Sequence, residues 1–143
     1  MINYIKGIVI LTILFLSSGS ICSSQENYQN NTGYLSNIKA IAAGGGHSLA
    51  LDNNGTVWAW GYNGYGQLGN GSSGASHPVP VQVKNLNNIK AIAAGYNHLL
   101  ALDNNGTVWA WGYNEYGQLG NGTNSLAPQP VPVQVTAGVG QKL

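Results

Sequence analysis

An all-β fold, two four-stranded antiparallel blades of an incomplete β-propeller behind an N-terminal signal segment, is what this 143-residue sequence predicts. Three observations predict it. The stretch DNNGTVWAWGYN occurs twice, at Asp52 to Asn63 and at Asp103 to Asn114, within a longer repeat of 51 residues. Asn-Gly pairs and 21 glycines mark tight turns between short apolar runs, because these residues enter positive-φ conformations cheaply. The runs themselves are apolar on both faces of a strand, so each needs a neighbouring layer on either side.

The first element is the N-terminal segment, MINYIKGIVILTILFLSSGSICSSQ. Lys6, the apolar run Ile8 to Leu16 and the small residues Ser17 to Ser20 follow the order of a secretory signal. Residues 1–22 are therefore expected to be a signal peptide, and the protein secreted or held at the cell surface. The apolar run falls short of the roughly 20 residues of a membrane span. Membrane attachment then requires that the segment stay uncleaved, or that Cys22 carry a lipid, which the bulky Ile21 before it disfavours. Cleavage after Cys22 leaves a chain with no cysteine, and so no disulfide framework or thiolate chemistry. Residues 23–37 form a linker.

The repeats follow, residues 38–88 and 89–135. IKAIAAGGGHSLALDNNGTVWAWGYNGYGQLGNG from Ile38 returns from Ile89 with four differences in 34 positions: Gly45/Tyr96, Gly46/Asn97, Ser48/Leu99 and Gly64/Glu115. Such a period signals stacked repeats. IKAIAA supplies a first strand lined with Ala where space is tightest. HSLALD and TVWAWG supply a hairpin joined by Asn53, Asn54 and Gly55, with both Asn54 and Gly55 expected at positive φ. In the second of these strands Trp58 and Trp60 share one face, Val57 and Ala59 the other. PVPVQV, at Pro78 to Val83 and Pro130 to Val135, supplies a fourth strand whose prolines, lacking a donor, belong at a sheet edge. Four antiparallel strands per unit make one propeller blade.

The motifs Ala-Ala-Gly, Gly-x-x-His, Asp-x-x-Gly, Trp-Gly-x-Asn and Gly-Gln-Leu-Gly, followed by PVPVQV, strongly resemble the repeat of the regulator of chromosome condensation family. The resemblance covers Ile38 to Val135 and implies blades of a seven-bladed propeller. Two blades do not close a ring of the usual four to eight. The tail, residues 136–143, stops where a third IKAIAA is due. A fragment of a longer propeller is the preferred reading, and self-association through open blade faces the second.

Composition and motifs also bound the chemistry. Charged residues make up 6% of the chain, against roughly 25% in an average domain, and the net charge is +1. No electrostatic footprint for nucleic acid is present. His47 and His98 recur once per repeat, and a turn fixed by imidazole hydrogen bonds to backbone explains them better than a metal site. Asp52 and Asp103 each open a hairpin, where an Asp side chain caps turn amides. No nucleophile, base and orienting group converge, so no catalytic residue, cofactor or metal is expected. DNNGTVW also resembles the Asp-box of sialidases, but those enzymes need an arginine cluster and this chain has no arginine. The glycine-rich stretches lead into strands or loops and not into a helix, so they are turns and not phosphate cradles. Four Asn-Gly-Ser/Thr sequons, at Asn54, Asn70, Asn105 and Asn121, are explained by the turns.

The candidate ligand-binding loops are Tyr62, Asn63 and Tyr65 in the first repeat, and Tyr96, Asn97, Tyr113, Asn114, Glu115 and Tyr116 in the second. Tyrosines offer large contact area with a polar tip, although aromatics also pack between blades. Three of the four differences between repeats lie in turns while the strands are held, which is how binding sites are placed on scaffolds. The expected function is a secreted, non-enzymatic protein-interaction module or part of a larger propeller. The resemblance implies two alternatives: guanine nucleotide exchange on a small GTPase, and inhibition of a secreted enzyme such as a β-lactamase.

Overall fold

A computed structural model describes residues 33 to 138. The expected signal segment (residues 1–22), most of the expected linker and the last five residues of the tail lie outside the described residues. Eight strands form two sheets of four, and the described residues contain no helix. The first blade runs β1 (Ile38–Ala43), β2 (His47–Asp52), β3 (Val57–Gly61) and β4 (His77–Gln82). The second runs β5 (Ile89–Ala94), β6 (His98–Asp103), β7 (Val108–Asn114) and β8 (Ser125–Gln134). Each sheet keeps chain order and every neighbouring pair is antiparallel. The proline-bearing strands β4 and β8 are edges, where a missing backbone donor breaks no central ladder.

Register decides which side chains share a face. Ala42 faces Leu49 and Leu49 faces Ala59, while Ala40 faces Leu51 and Leu51 faces Val57. These residues form one face of the first blade. Ile41, Ala50 and Trp58 align across the same strands, as do Ala43, Ser48 and Trp60, and form the other. The second blade repeats this division with Leu100, Leu102, Val108 and Ala110 on one side and Ile92, Leu99, Ala101, Trp109 and Trp111 on the other.

The core lies between the blades. Leu49, Leu51, Val57, Ala59 and Val83 of the first blade cluster with Leu99, Ala101 and Trp111 of the second, and Ile92 and Trp109 pack against them. The leucine face of one blade thus rests on the tryptophan face of the next. Full burial of each large apolar side chain there contributes about 1.5–3 kcal/mol. Trp111, wholly buried, donates its indole N–H to the Gln67 carbonyl at 2.8 Å, so its polar atom is satisfied inside the junction. Backbone bonds pin the same junction: Gly45 N–H to Tyr96 O at 3.1 Å, Gly71 N–H to Pro130 O at 2.9 Å and Ile89 N–H to Gly55 O at 3.2 Å.

Two local expectations are corrected. In the hairpin turns only the glycines, Gly55 (φ 81°) and Gly106 (φ 85°), take positive φ; Asn54 and Asn105 do not. The Asp52 carboxylate is the reason. Its Oδ1 accepts the Asn54 and Thr56 amides, both at 2.9 Å, while Gly55 N–H reaches Asp52 O at 3.1 Å and Asp52 N–H reaches Thr56 O at 3.0 Å. That is a turn ended by a left-handed glycine bulge, not a two-residue Asn-Gly turn. The second correction concerns His47, whose buried Nδ1 and Nε2 have no hydrogen-bond partner. The turn is closed instead by its backbone, Gly44 N–H to His47 O at 2.9 Å and Gly95 N–H to His98 O at 2.8 Å. Each ring lies against its glycine, where a side chain on Gly44 or Gly95 would overlap the imidazole.

Candidate functional site

The β1–β2 and β5–β6 turns and the loops after β3 and β7 gather at one end of the two blades. There the repeated Tyr-Asn-x-Tyr segments place four tyrosines in a row. Tyr62 meets Tyr65 at 6.2 Å between ring centres, Tyr65 meets Tyr113 at 4.7 Å, and Tyr113 meets Tyr116 at 6.1 Å, all edge to face. Edge-to-face pairs of this spacing are favourable by about 0.5–1.5 kcal/mol each beyond area burial. The central pair, Tyr65 and Tyr113, bridges the two blades. The same row packs between the blades at Tyr65 and Tyr113 and leaves Tyr62 and Tyr116 exposed.

A hollow of about 420 Å³ opens beside it, lined by Gly45, Gly46, Tyr62, Tyr65, Tyr96 and Asn97. Its shape follows from differences between the repeats. Gly45 and Gly46 form a low wall in the first blade, and their counterparts Tyr96 and Asn97 form a high one in the second. A side chain at Gly45 would come within 2.8 Å of the Tyr96 ring, so the smallest residue is needed opposite the large one. Gly64 acts similarly: Tyr62 leans across it, and a side chain there would strike the phenol. At the matching position stands Glu115, and its neighbour Tyr113 lies against Tyr65 instead.

The nine predicted site residues divide by depth. Tyr62, Tyr96 and Tyr116 are exposed, Tyr96 to 78%, and Tyr65, Tyr113, Asn97 and Glu115 are half-buried. Asn63 and Asn114 are buried and hold the loops. Asn63 Oδ1 accepts Leu68 N–H at 3.0 Å and its amide donates to Ser72 O at 3.1 Å; Asn114 repeats this with Leu119 and Thr123. Both are engaged by the protein's own loops and drop out of the candidate ligand surface. Sequence reasoning missed Gly45 and Gly46, although their standing among the four differences was the signal. It also missed Gln67, wholly buried, whose Oε1 accepts Tyr65 N–H at 2.9 Å and whose Nε2 donates to Asn97 Oδ1 at 3.3 Å. Gln67 ties the Tyr65 loop to the Asn97 wall of the hollow. No group of three or more His, Cys, Asp or Glu that could hold a metal gathers among the described residues.

The family description "Regulator of chromosome condensation (RCC1) repeat" matches residues 54–102 and 105–143, and a second model of the same description matches 38–67 and 89–118. The chain belongs to the RCC1 repeat family. Among its RCC1 relatives, the human E3 ubiquitin-protein ligase HERC2 is 36% identical over 118 residues, covering 82% of this chain and 2% of HERC2. The ultraviolet-B receptor UVR8 of Arabidopsis thaliana is 35% identical over 99 residues, 68% of this chain and 22% of the receptor. Of solved RCC1-like folds, human WBSCR16 superposes with a TM-score of 0.62 at 28% identity, over 69% of this chain and 25% of that one. Prp20p of Saccharomyces cerevisiae gives 0.63 at 26%, over 72% and 26%. The chain thus spans about a quarter or less of the proteins it resembles.

Proposed function

We propose that this RCC1-repeat chain is a secreted, non-enzymatic protein-interaction module whose ligand surface is the tyrosine row and the hollow beside it. The observation that carries the reading is that two of the four repeat differences, Gly45/Tyr96 and Gly46/Asn97, supply opposing walls of one hollow. Apart from Ser48/Leu99, the strands β1 to β3 return unchanged as β5 to β7 while the rim varies, as in loop-borne sites on rigid scaffolds. Tyrosine-rich rims favour a partner's aromatic or proline side chain, which fills such a hollow at low entropic cost. The order of charge, apolar run and small residues within residues 1–22 supports export.

The test compares capture from surface and extracellular protein mixtures by the intact chain and by Tyr96→Ala and Tyr65→Ala variants. A partner retained by the first and lost by both variants is expected. Capture that survives both substitutions removes the tyrosine site from the reading. N-terminal sequencing of exported protein is expected to start near residue 23; a start at Met1 in a cytosolic fraction removes secretion. Guanine nucleotide exchange is a second reading, supported by likeness to Prp20p, whose structure is reported together with its binding properties to Gsp1p and histones. Stimulated nucleotide release from a GTPase is the outcome that would favour it.

A further inference from the structure

β1 to β3 return as β5 to β7 with one difference, Ser48 against Leu99, yet the two blades lie in unequal surroundings. Leu49, Leu51, Val57 and Val83 are buried in the first blade, whereas their counterparts Leu100, Leu102, Val108 and Val135 are only half-buried in the second. The tryptophan faces show the reverse. Trp111 and Leu99 are wholly buried in the second blade, while Trp60 and Ser48 are half-buried in the first and Ile41 is 79% exposed. These side chains are sheltered more fully where the other blade lies over them, while the small Ala50 and Ala110 are buried on the outer faces as well. Among the described residues, then, the molecule presents a leucine face at one side and a tryptophan face at the other, and these are the two halves of the junction it already makes internally.

The leucine face carries an apolar depression of about 220 Å³ lined by Ala91, Ala93, Leu100, Leu102 and Val108. In the internal junction, Ile92 packs against the cluster formed by the equivalent first-blade residues. Ile41 is the counterpart of Ile92 and stands exposed. We propose that a second copy of this chain seats its tryptophan face, with Ile41 leading, on the leucine face of the first, repeating the blade-to-blade junction between molecules. The contact is heterologous, because different surfaces meet, so it propagates head to tail until rotation closes it. Propellers close at four to eight blades, which two-bladed copies reach as closed sets of two to four. The broad blade faces are used and the tyrosine row at their ends is not, so this assembly and the ligand site fail independently.

The test uses the full chain and two variants, Leu100→Glu on the leucine face and Ile41→Glu on the tryptophan face, with mass measured by light scattering. Wild type is expected to form a closed set or a concentration-dependent series. Each variant alone is expected to be a monomer. Mixed, they are expected to give dimers and nothing larger, since only the intact leucine face of one and the intact tryptophan face of the other can meet. An unshifted Trp111 indole N–H resonance in both variants, resolved from those of the other three tryptophans, confirms that the internal junction survives. A monomeric wild type overturns the proposal, as does association that persists in both variants or mixing that yields no dimer.

Discussion

Asp52 and Asp103 do at the residue scale what their spacing predicts. Each carboxylate accepts two backbone amides with one oxygen and, with the other, an indole N–H, Trp58 at 3.3 Å and Trp109 at 3.2 Å. Burial by itself raises the Asp52 pKa, but the Thr56 amide, the Trp58 indole and the Asn54 amide together outweigh it and hold the carboxyl below its ordinary value. Asp52→Ala is expected to lower stability by about 1.5–3 kcal/mol, the range for hydrogen bonds to a charged group, measurable by urea unfolding. The histidines titrate in another window. Burial lowers the pKa of His47, with nearby His98 adding to it, and burial lowers that of His98. The unfolded chain then takes up these protons more readily than the folded one. Stability is complete above the ordinary imidazole value of 6.5 and declines as pH falls through the depressed folded values. The carboxylate contribution is lost only at pH below 3.8. A melting temperature that falls in the upper window, with a shallower fall in His47→Leu, is the expected result. Spacing alone made the Asp role legible, because its partners lie within six residues. The His role was misread, because what the ring touches is a glycine face and no hydrogen-bond partner.

The strand elements were readable one by one, and the hairpin turns nearly so. Alternation placed Trp58 and Trp60 opposite Val57 and Ala59, and proline placed β4 and β8 at edges, since both signals are local consequences of pleat and of a missing donor. The identical turns differ in what lies over them. A methyl group on Gly55 would come within 2.9 Å of the Ile89 amide nitrogen, whereas one on Gly106 would meet nothing within 4 Å. Both glycines hold positive φ, so both Gly→Ala changes carry the left-handed penalty of roughly 1–2 kcal/mol. Gly55→Ala is expected to be the more destabilising of the two by denaturant titration, because it also pushes on the second blade. Equal effects would mean that the blade junction yields freely at that point.

At the scale of the whole molecule, the asymmetry between equivalent residues is the main result. Leu49 is fully buried and Leu100, its counterpart, is not. Leu49→Ala is expected to destabilise by about 2–5 kcal/mol, and Leu100→Ala by clearly less in dilute, monomeric solution. At concentrations where copies associate, the two effects are expected to converge, which equilibrium unfolding across a dilution series will show. The amino-acid sequence by itself determined the repeat, its four strands, their facing residues and the family, because turn chemistry and strand alternation act over a few neighbours. Only the tertiary structure decided which face of one blade meets which face of the next, and that Gly45 of one turn would share a hollow with Tyr96 of another. Those outcomes depend on the stacking of surfaces 51 residues apart, and in the first three strands of each blade only Ser48 against Leu99 marks which copy is covered.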